Sequence, residues 1–343
     1  MFEGKIAILG TGANGGAIGA DLTRAGLDVT MIDQWPANVE AMQRQGVTVE
    51  MPTETTHTEV KAVHLCDVAK LHVKFNVVFI VVKAYDTLWA CELIKPYLAD
   101  DALVIGLQNG MMVDAIASVV GPGRTLGAVI EIAAAMWTPG VVERHTPPSG
   151  TWFAVGSICD ATIGLEESVA SILRNAGAVE VVDDIRSAKW MKLVVNAAEL
   201  VTSAICNLPL LEAAQIPGMD AFMRLNGKEA VRTAVSLGRH VVPIIGLKNV
   251  DPNDPEGFVD AMLDAVYTHW SLPHTRTTVL QDWDKGRRGE VDQLNGFVVD
   301  EQRRIGGSAP ANSRTVDVAH QIEKGQLKPD PKNADLLLAS LGH

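Results

Sequence analysis

The 343-residue sequence predicts a mixed α/β protein in two parts, a parallel-sheet domain over residues 1–183 and an all-helical domain over 184–343. Three observations carry this expectation. A short apolar run, Ile6-Ala7-Ile8-Leu9, leads into glycines at 10, 12 and 15, and a second β-type run follows, ending at Asp33. Continuous apolar runs such as NVVFIVVKA (76–84) suit strands buried on both faces of a parallel sheet. After about residue 183 such runs stop and helical periodicity takes over. The length also favours two domains, because single cores stop growing at roughly 250–300 residues.

The glycines explain the first domain. Gly10, Gly12 and Gly15, with Ala13 and Asn14 between the last two, have G-x-G-x-x-G spacing between a strand and a helix. Gly10 permits a tight turn, Gly12 lets backbone approach a pyrophosphate, and Gly15 lets helix and strand pack closely. The helix N-terminus then offers N–H groups and partial positive charge to phosphates. The expected unit is a Rossmann dinucleotide-binding domain. Asp33, 23 positions after Gly10, is placed to accept hydrogen bonds from the adenosine ribose and to repel a 2′-phosphate. Gln34 follows where a basic residue would serve NADP. This favours NAD, with NADP the less favoured cofactor; Lys83, able to reach an adenine-side phosphate, weighs the other way.

Along the rest of this half, VKAVHL (60–65) suits an edge strand, with VTVE (47–50) as its partner. ALVIGLQNGMM (102–112) reads as a strand ending in Gln108-Asn109-Gly110. A polar turn at the carboxyl end of such a strand lies in the ligand crevice of an open α/β sheet. Asn109 is therefore a candidate near the nicotinamide, or a plain turn residue before Gly110. TLGAVIEIAAAMW and GTWFAVG suggest further strands, some forming an antiparallel extension.

The second half reads as helices over roughly 186–205, 210–214, 219–240, 255–270, 275–283, 289–304 and 311–324, ending in a surface tail. In AKWMKLVVNAAELVTSAICN (188–207), Lys192 and Asn196 are one turn apart on one face of an otherwise apolar helix. Burying an ammonium costs several kcal/mol unless it is bonded or used. Beside a dinucleotide, such a lysine could protonate a carbonyl oxygen; alternatively it extends its head to solvent. Lys189 is expected to be the solvent lysine of the two. Glu290, opening a helix after Gly289, is a substrate contact or a complement to the helix N-terminus. Gln293 or Asn295, and Thr278, are further candidates for substrate contact.

Composition narrows the partners. A net charge of −12 argues against nucleic acid or an anionic membrane, both of which need a basic face. The four cysteines form no CxxC pair and the nine histidines no HxxxH or HxH cluster, so neither a disulfide framework nor a metal is expected. The N-terminus lacks a signal pattern and no run reads as a membrane span, so the expected location is the cytoplasm.

Four ordered pieces, GTGANG, VKAYD with QNGMM, KWMKLVVN, and TTVLQDWDKGRRGEVDQLNGF, resemble the ketopantoate reductase (2-dehydropantoate 2-reductase) family over nearly the full length. The K-x-x-x-N spacing differs from the K-x-x-N of the related β-hydroxyacid dehydrogenases. The resemblance implies that Lys192 donates the proton to the substrate carbonyl, that Glu290 and Asn196 contact substrate, and that Asn109 lies at the nicotinamide side. Thr278 falls where the family has a serine near the substrate carboxylate. Two departures stand out. The family's NADP-binding arginine falls on Gln34, and a second asparagine one turn after Asn196 is replaced by Leu200. A site without that amide would bind pantoate's precursor poorly. The expectation is a hydride-transferring oxidoreductase, in the CH–OH class, acting on a 2-oxo acid, ketone or secondary alcohol other than pantoate, one larger or more apolar, and working as a homodimer. Genuine 2-dehydropantoate reduction with NADPH, and a non-catalytic dinucleotide sensor, are the alternatives.

Overall fold

The computed structural model describes residues 3–247 and 250–339. The chain divides into two compact units, residues 1–108 with 112–186, and residues 109–111 with 187–343.

The first unit is built on an eight-stranded sheet. Its strands are β1 (Ile6–Leu9), β2 (Val29–Asp33), β5 (Lys61–His64), β6 (Phe75–Ile80), β7 (Leu98–Gly106), β8 (Thr125–Glu131), β11 (Trp152–Ser157) and β12 (Ala178–Val181). The spatial order is β12-β11-β8-β7-β6-β1-β2-β5. From β5 to β8 every pairing is parallel, and β11 joins β8 antiparallel, with Phe153 opposite Ile130. The order reverses at β1, between β2 and β6, which is the topological switch point of a doubly wound sheet. The antiparallel extension expected from the sequence is therefore β11.

Side chains alternate between two cores, as a strand's two-residue period requires. Ile6, Ile8, Met31, Phe79 and Ile105 face one; Ala7, Leu9, Ile32, Ile80 and Val104 face the other. Helices α3 (Thr87–Ile94) and α4 (Val113–Val120) cover the second face through Ala90, Cys91, Ile94 and Ile116. Burial pushes the Cys91 thiol up to about 12. On the first face lies α1 (Ala13–Arg24), and α2 (Pro36–Gln45) adds Val39 and Met42 to the same core.

One strand pairing differs from expectation. VTVE is β3 (Val47–Glu50), and it does not pair with the edge strand β5. It belongs to a separate four-stranded sheet, β4-β3-β10-β9, with β4 (Thr55–Thr58), β9 (Ala134–Thr138) and β10 (Val141–Arg144). This sheet caps the outer side of α1. A Cβ on Gly16 would lie 3.1 Å from Val142 Cγ2, whereas one on Gly19 would lie 2.9 Å from Met31 Sδ of the main sheet. With apolar surface on both sides, α1 needs a second cover, and β3 supplies part of it instead of extending the main sheet. A buried ion pair joins the layers: Arg144, 1% exposed, donates to Asp21 Oδ2 of α1 at 2.5 Å, and also to Thr151 Oγ1 and the Ala176 carbonyl.

The second unit is helical: α6 (Ile185–Ile205, its first two residues in the first unit), α7 (Leu210–Gln215), α8 (Met219–Ser236), α9 (Pro255–Ala265), α10 (Thr278–Asp284), α11 (Asn295–Arg304), α12 (Pro310–Glu323) and α13 (Ala334–Leu338). Three boundaries differ from the periodicity. Helix α8 stops at Ser236 because Gly238 turns into positive φ (+72°). The stretch 266–270 winds as a π-turn after α9. Glu290 precedes a 3₁₀ turn, Val291–Gln293, and the α-helix begins only at Asn295 because Leu294 leaves helical angles. The C-terminal stretch also departs from a surface tail. Ala334 and Leu337 are buried, and Asn333 Nδ2 donates to the carbonyls of Ile205 and Lys328.

A buried polar network ties four of these helices together. Glu229 on α8 accepts the Ala311 and Asn312 N–H groups at 2.9 and 3.0 Å, capping the start of α12. Asn312 Nδ2 donates to the Asn226 carbonyl, and Asn295 Nδ2 donates to Asn312 Oδ1 and to the Ala197 carbonyl of α6, each at 2.8 Å. Trp190 of α6 packs its ring 5.5 Å from that of Phe297 on α11. Among the described residues, no helix is long and apolar enough to cross a membrane, and no group of three or more His, Cys, Asp or Glu could hold a metal.

The Asp21–Arg144 pair makes a stability prediction. Removing one partner leaves a buried charge, so Arg144→Met is expected to lower the unfolding free energy by about 3–5 kcal/mol in denaturant titration. Asp21→Leu/Arg144→Met should recover much of that loss; a double variant as unstable as the sum of the singles would contradict the account.

Candidate active site

The nucleotide end of the first unit is the turn between β1 and α1. Gly10 has φ +96°, and a Cβ there would sit 2.6 Å from the Val82 nitrogen. A Cβ on Gly15 would collide with the Gly10 carbonyl oxygen. Gly12 differs: nothing lies within 4 Å of a Cβ built there, and it is exposed at the N-cap of α1. Two glycines thus allow backbone to touch backbone, while the third opens on free space at a helix N-terminus. There, the first N–H groups have no acceptor within the helix. Residues 10–15, including Ala13 and Asn14, fit a phosphate cradle.

Asp33 closes β2 beside this turn and is 7% exposed. Its Oδ2 accepts the Thr11 N–H at 2.6 Å and the Thr11 hydroxyl at 2.8 Å, and its Oδ1 accepts the Trp35 N–H at 2.9 Å. Asn38 Nδ2 holds the Thr11 carbonyl at 3.0 Å. The carboxylate therefore braces the glycine turn as well as carrying charge. Roughly one of its four lone-pair positions is left for another donor. Lys83, half-buried, follows the Val81–Val82 segment that packs on Gly10. Gln108 Nε2 pins that segment through the Val82 carbonyl at 2.7 Å. Sequence reasoning did not find the bracing roles of Thr11, Asn38 and Gln108. The only available signal was the run of polar residues next to glycines and strand ends.

The second unit gathers most of the remaining candidates along α6. Every residue from 187 to 206 is buried except Lys192. This corrects the expectation for the two lysines: Lys189 is 5% exposed, and burial pushes its pKa down to about 8. Position 189 lies about 60° around the helix from 192, since three residues turn about 300°; enclosure on nearly all sides leaves one gap, and Lys192 occupies it. Asn196, 1% exposed, donates from Nδ2 to Asn109 Oδ1 at 3.0 Å, which brings two candidates together. Leu200, one turn further, is 7% exposed.

Two other segments meet this stretch. Thr277 Oγ1 donates to the Leu200 carbonyl at 3.0 Å and lies 3.1 Å from Ser203 Oγ, so Thr278 begins α10 beside Leu200. The turn carrying Glu290, itself 4% exposed, is pinned by the Asn295 bond to Ala197. Thr278 Oγ1 and Gln293 Oε1 are both sealed from solvent and make no hydrogen bond within the chain. Buried polar atoms in that condition are uncommon in folded proteins and often mark a ligand site. Glu199, 7% exposed, was missed as a candidate. Its signal was present, because a carboxylate seven residues after Lys192 returns within about 20° of the same helix line.

The Lys189 environment gives a pH prediction. Its folded-state value of about 8 lies below the ordinary 10.5, so between these values the unfolded chain holds the proton and the folded chain does not. The unfolding free energy contributed by this site therefore climbs as pH rises from about 8 to 10.5. Lys189→Met should flatten that climb in urea titrations run across the window. An identical slope in variant and wild type would rule out the burial effect.

The glycine turn and lysine helix have counterparts in known proteins. Residues 6–157 match the family model "Ketopantoate reductase PanE/ApbA", and residues 184–323 match its C-terminal model. The chain is 28% identical to a 2-dehydropantoate 2-reductase of Archaeoglobus fulgidus over 325 residues, covering 94% of this chain and 98% of the relative. The crystal structure of a PanE/ApbA family ketopantoate reductase from Ralstonia eutropha JMP134 is 30% identical with a TM-score of 0.79, covering 94% and 99% of the two chains. D-mandelate dehydrogenase, solved with NADH and anilino(oxo)acetate, shares the fold at a TM-score of 0.83 and 19% identity, covering 94% and 98%. The chain belongs to the ketopantoate reductase family, and is an oxidoreductase of the CH–OH class that uses a nicotinamide dinucleotide.

Proposed function

We propose that the chain interconverts a 2-oxo acid or ketone and its alcohol, that the substrate is one other than ketopantoate, and that NAD is the preferred cofactor over NADP. The observation that carries the reading is Lys192, half-buried where every other residue from 187 to 206 is buried, one turn before an Asn196 already bonded to Asn109. When bound, the nicotinamide supplies or accepts the hydride at the substrate carbon. Lys192 holds a proton at the substrate oxygen, donating it in reduction and, once neutral, withdrawing it in oxidation. The Asn109–Asn196 bond fixes both amides, which lowers the cost of orienting them for substrate. Glu290 and Thr278 are assigned to substrate contact. The buried hydroxyl of Thr278, with no bond inside the chain, supports its assignment.

Leu200 supports a substrate more apolar than ketopantoate, because an amide is missing where a polar group of that substrate would otherwise bond. Asp33 supports NAD: it keeps a negative charge beside the turn, and Gln34 provides no cation for a 2′-phosphate. The second reading, reduction of ketopantoate with NADPH, is favoured by the names of the curated relatives and by Lys83.

Lys192→Ala is expected to lower kcat by about 10²–10⁴ while leaving dinucleotide binding intact. Leu200→Asn should raise the ketopantoate kcat/KM relative to apolar 2-oxo acids tenfold or more. Steady-state assays with a panel of oxo acids check both. Undiminished turnover in Lys192→Ala would end the lysine assignment. Ketopantoate with NADPH as clearly the best pair for wild type would end the substrate and cofactor assignments. No turnover with any member would end the oxo-acid reading.

A further inference from the structure

A cavity of about 680 Å³ opens at the amino-terminal edge of the main sheet. It reaches Gly4, just before β1, whereas the nucleotide turn begins at Gly10, just after it. Six extended residues separate the two places by roughly 20 Å. The floor is apolar and buried, made by Val77 of β6, Leu103 of β7 and Val120 of α4, and Leu165 stands exposed at the rim. Three charged side chains, Asp100, Asp101 and Arg124, also line it. A bulge brings the aspartates there. Between paired positions β7 advances five steps, from Leu98 to Leu103, while β6 advances two, from Phe75 to Val77. The surplus stretch of β7 leaves the ladder and carries both carboxylates to the cavity, as bulges commonly re-aim side chains.

Among the described residues neither aspartate side chain forms an ion pair, and the Arg124 guanidinium donates only to the Ala99 carbonyl, at 3.3 Å. Opposite charges thus line one cavity without meeting across it. The volume falls in the range of small-molecule sites, about 300–1,000 Å³. A purely cationic ligand would be repelled by Arg124, and a purely anionic one by two adjacent carboxylates. A zwitterion satisfies both ends. A guanidinium takes a carboxylate in a two-bond fork, and the aspartates accept from an ammonium. The buried floor adds a demand for hydrocarbon. We propose that this cavity is a second ligand site, separate from the nucleotide turn, for an α-amino acid with an apolar side chain. Its carboxylate lies on Arg124, its ammonium on Asp100 and Asp101, and its side chain over Val77, Leu103 and Val120. The inference does not depend on the oxo-acid reading.

Calorimetric titration of the whole protein with L-phenylalanine and L-leucine tests it. Each is run beside the amine and the acid that lack one of its charges: phenethylamine and 3-phenylpropanoate, isopentylamine and 4-methylpentanoate. At least one amino acid should bind about tenfold or more tighter than either of its single-charge analogues. Arg124→Gln should erase its advantage over the amine, and Asp100→Asn/Asp101→Asn its advantage over the acid. Unfolding midpoints verify that the fold is kept, and the exposed aspartates keep the test open should Arg124→Gln fail to fold. Lys192→Ala should leave amino-acid affinity unchanged; loss of binding there would place the ligand in the substrate pocket and overturn the inference. Binding of neither amino acid, or an advantage that survives the charge variants, would overturn it too.

Discussion

Between Gly10 and Gly15 two stretches of backbone touch where any side chain would have to intervene. That approach lets α1 start against the end of β1 and aims its N-terminus outward over Gly12. The turn is then held from outside. Asp33 takes both the N–H and hydroxyl of Thr11, Asn38 takes its carbonyl, and the Val81–Val82 segment closes on Gly10. The carboxylate we propose for ribose recognition thus also supports the turn proposed to cradle phosphate. Its removal would weaken the turn as well as alter cofactor preference, so loss of binding in an Asp33 variant would not by itself report on NAD against NADP.

The second unit uses burial differently. Residues 187–206, nearly all of them on helix α6, are buried apart from Lys192, and this makes the gap there informative. A half-buried ammonium keeps part of its hydration, so it meets a ligand at a smaller desolvation cost than a fully buried one. The network of Glu229, Asn295 and Asn312 fixes the turn that carries Glu290 and Gln293. Rigid placement of that kind favours selectivity, because a site that cannot shift rejects substrates that fail to satisfy its buried polar atoms.

Much of this was legible in the sequence. The glycine spacing between two apolar runs marked the tight turn between β1 and α1, and the periodicity marked α6 with Lys192 and Asn196 one turn apart. What escaped had long-range causes. VTVE carries a strand pattern, but nothing local says that α1 needs a second sheet above it. Lys189 and Lys192 both stand among largely apolar neighbours in sequence, and only the packing of other helices decides which is sealed. The late start of α11 depends on the backbone angles of Leu294, which side-chain periodicity does not record. The C-terminal residues looked like a polar tail because Asn333 finds its partner in Ile205, more than a hundred residues earlier.

We propose that Asp33, next to Gln34, makes this family member an NAD enzyme. Direct titration of the wild-type protein with NADH and with NADPH, followed by nicotinamide fluorescence at matched ionic strength, tests it without disturbing the turn. The account predicts tighter binding of NADH, by tenfold or more, from the repulsion between the Asp33 carboxylate and the 2′-phosphate. Equal or tighter binding of NADPH would contradict it and would shift control of the adenosine end to Lys83.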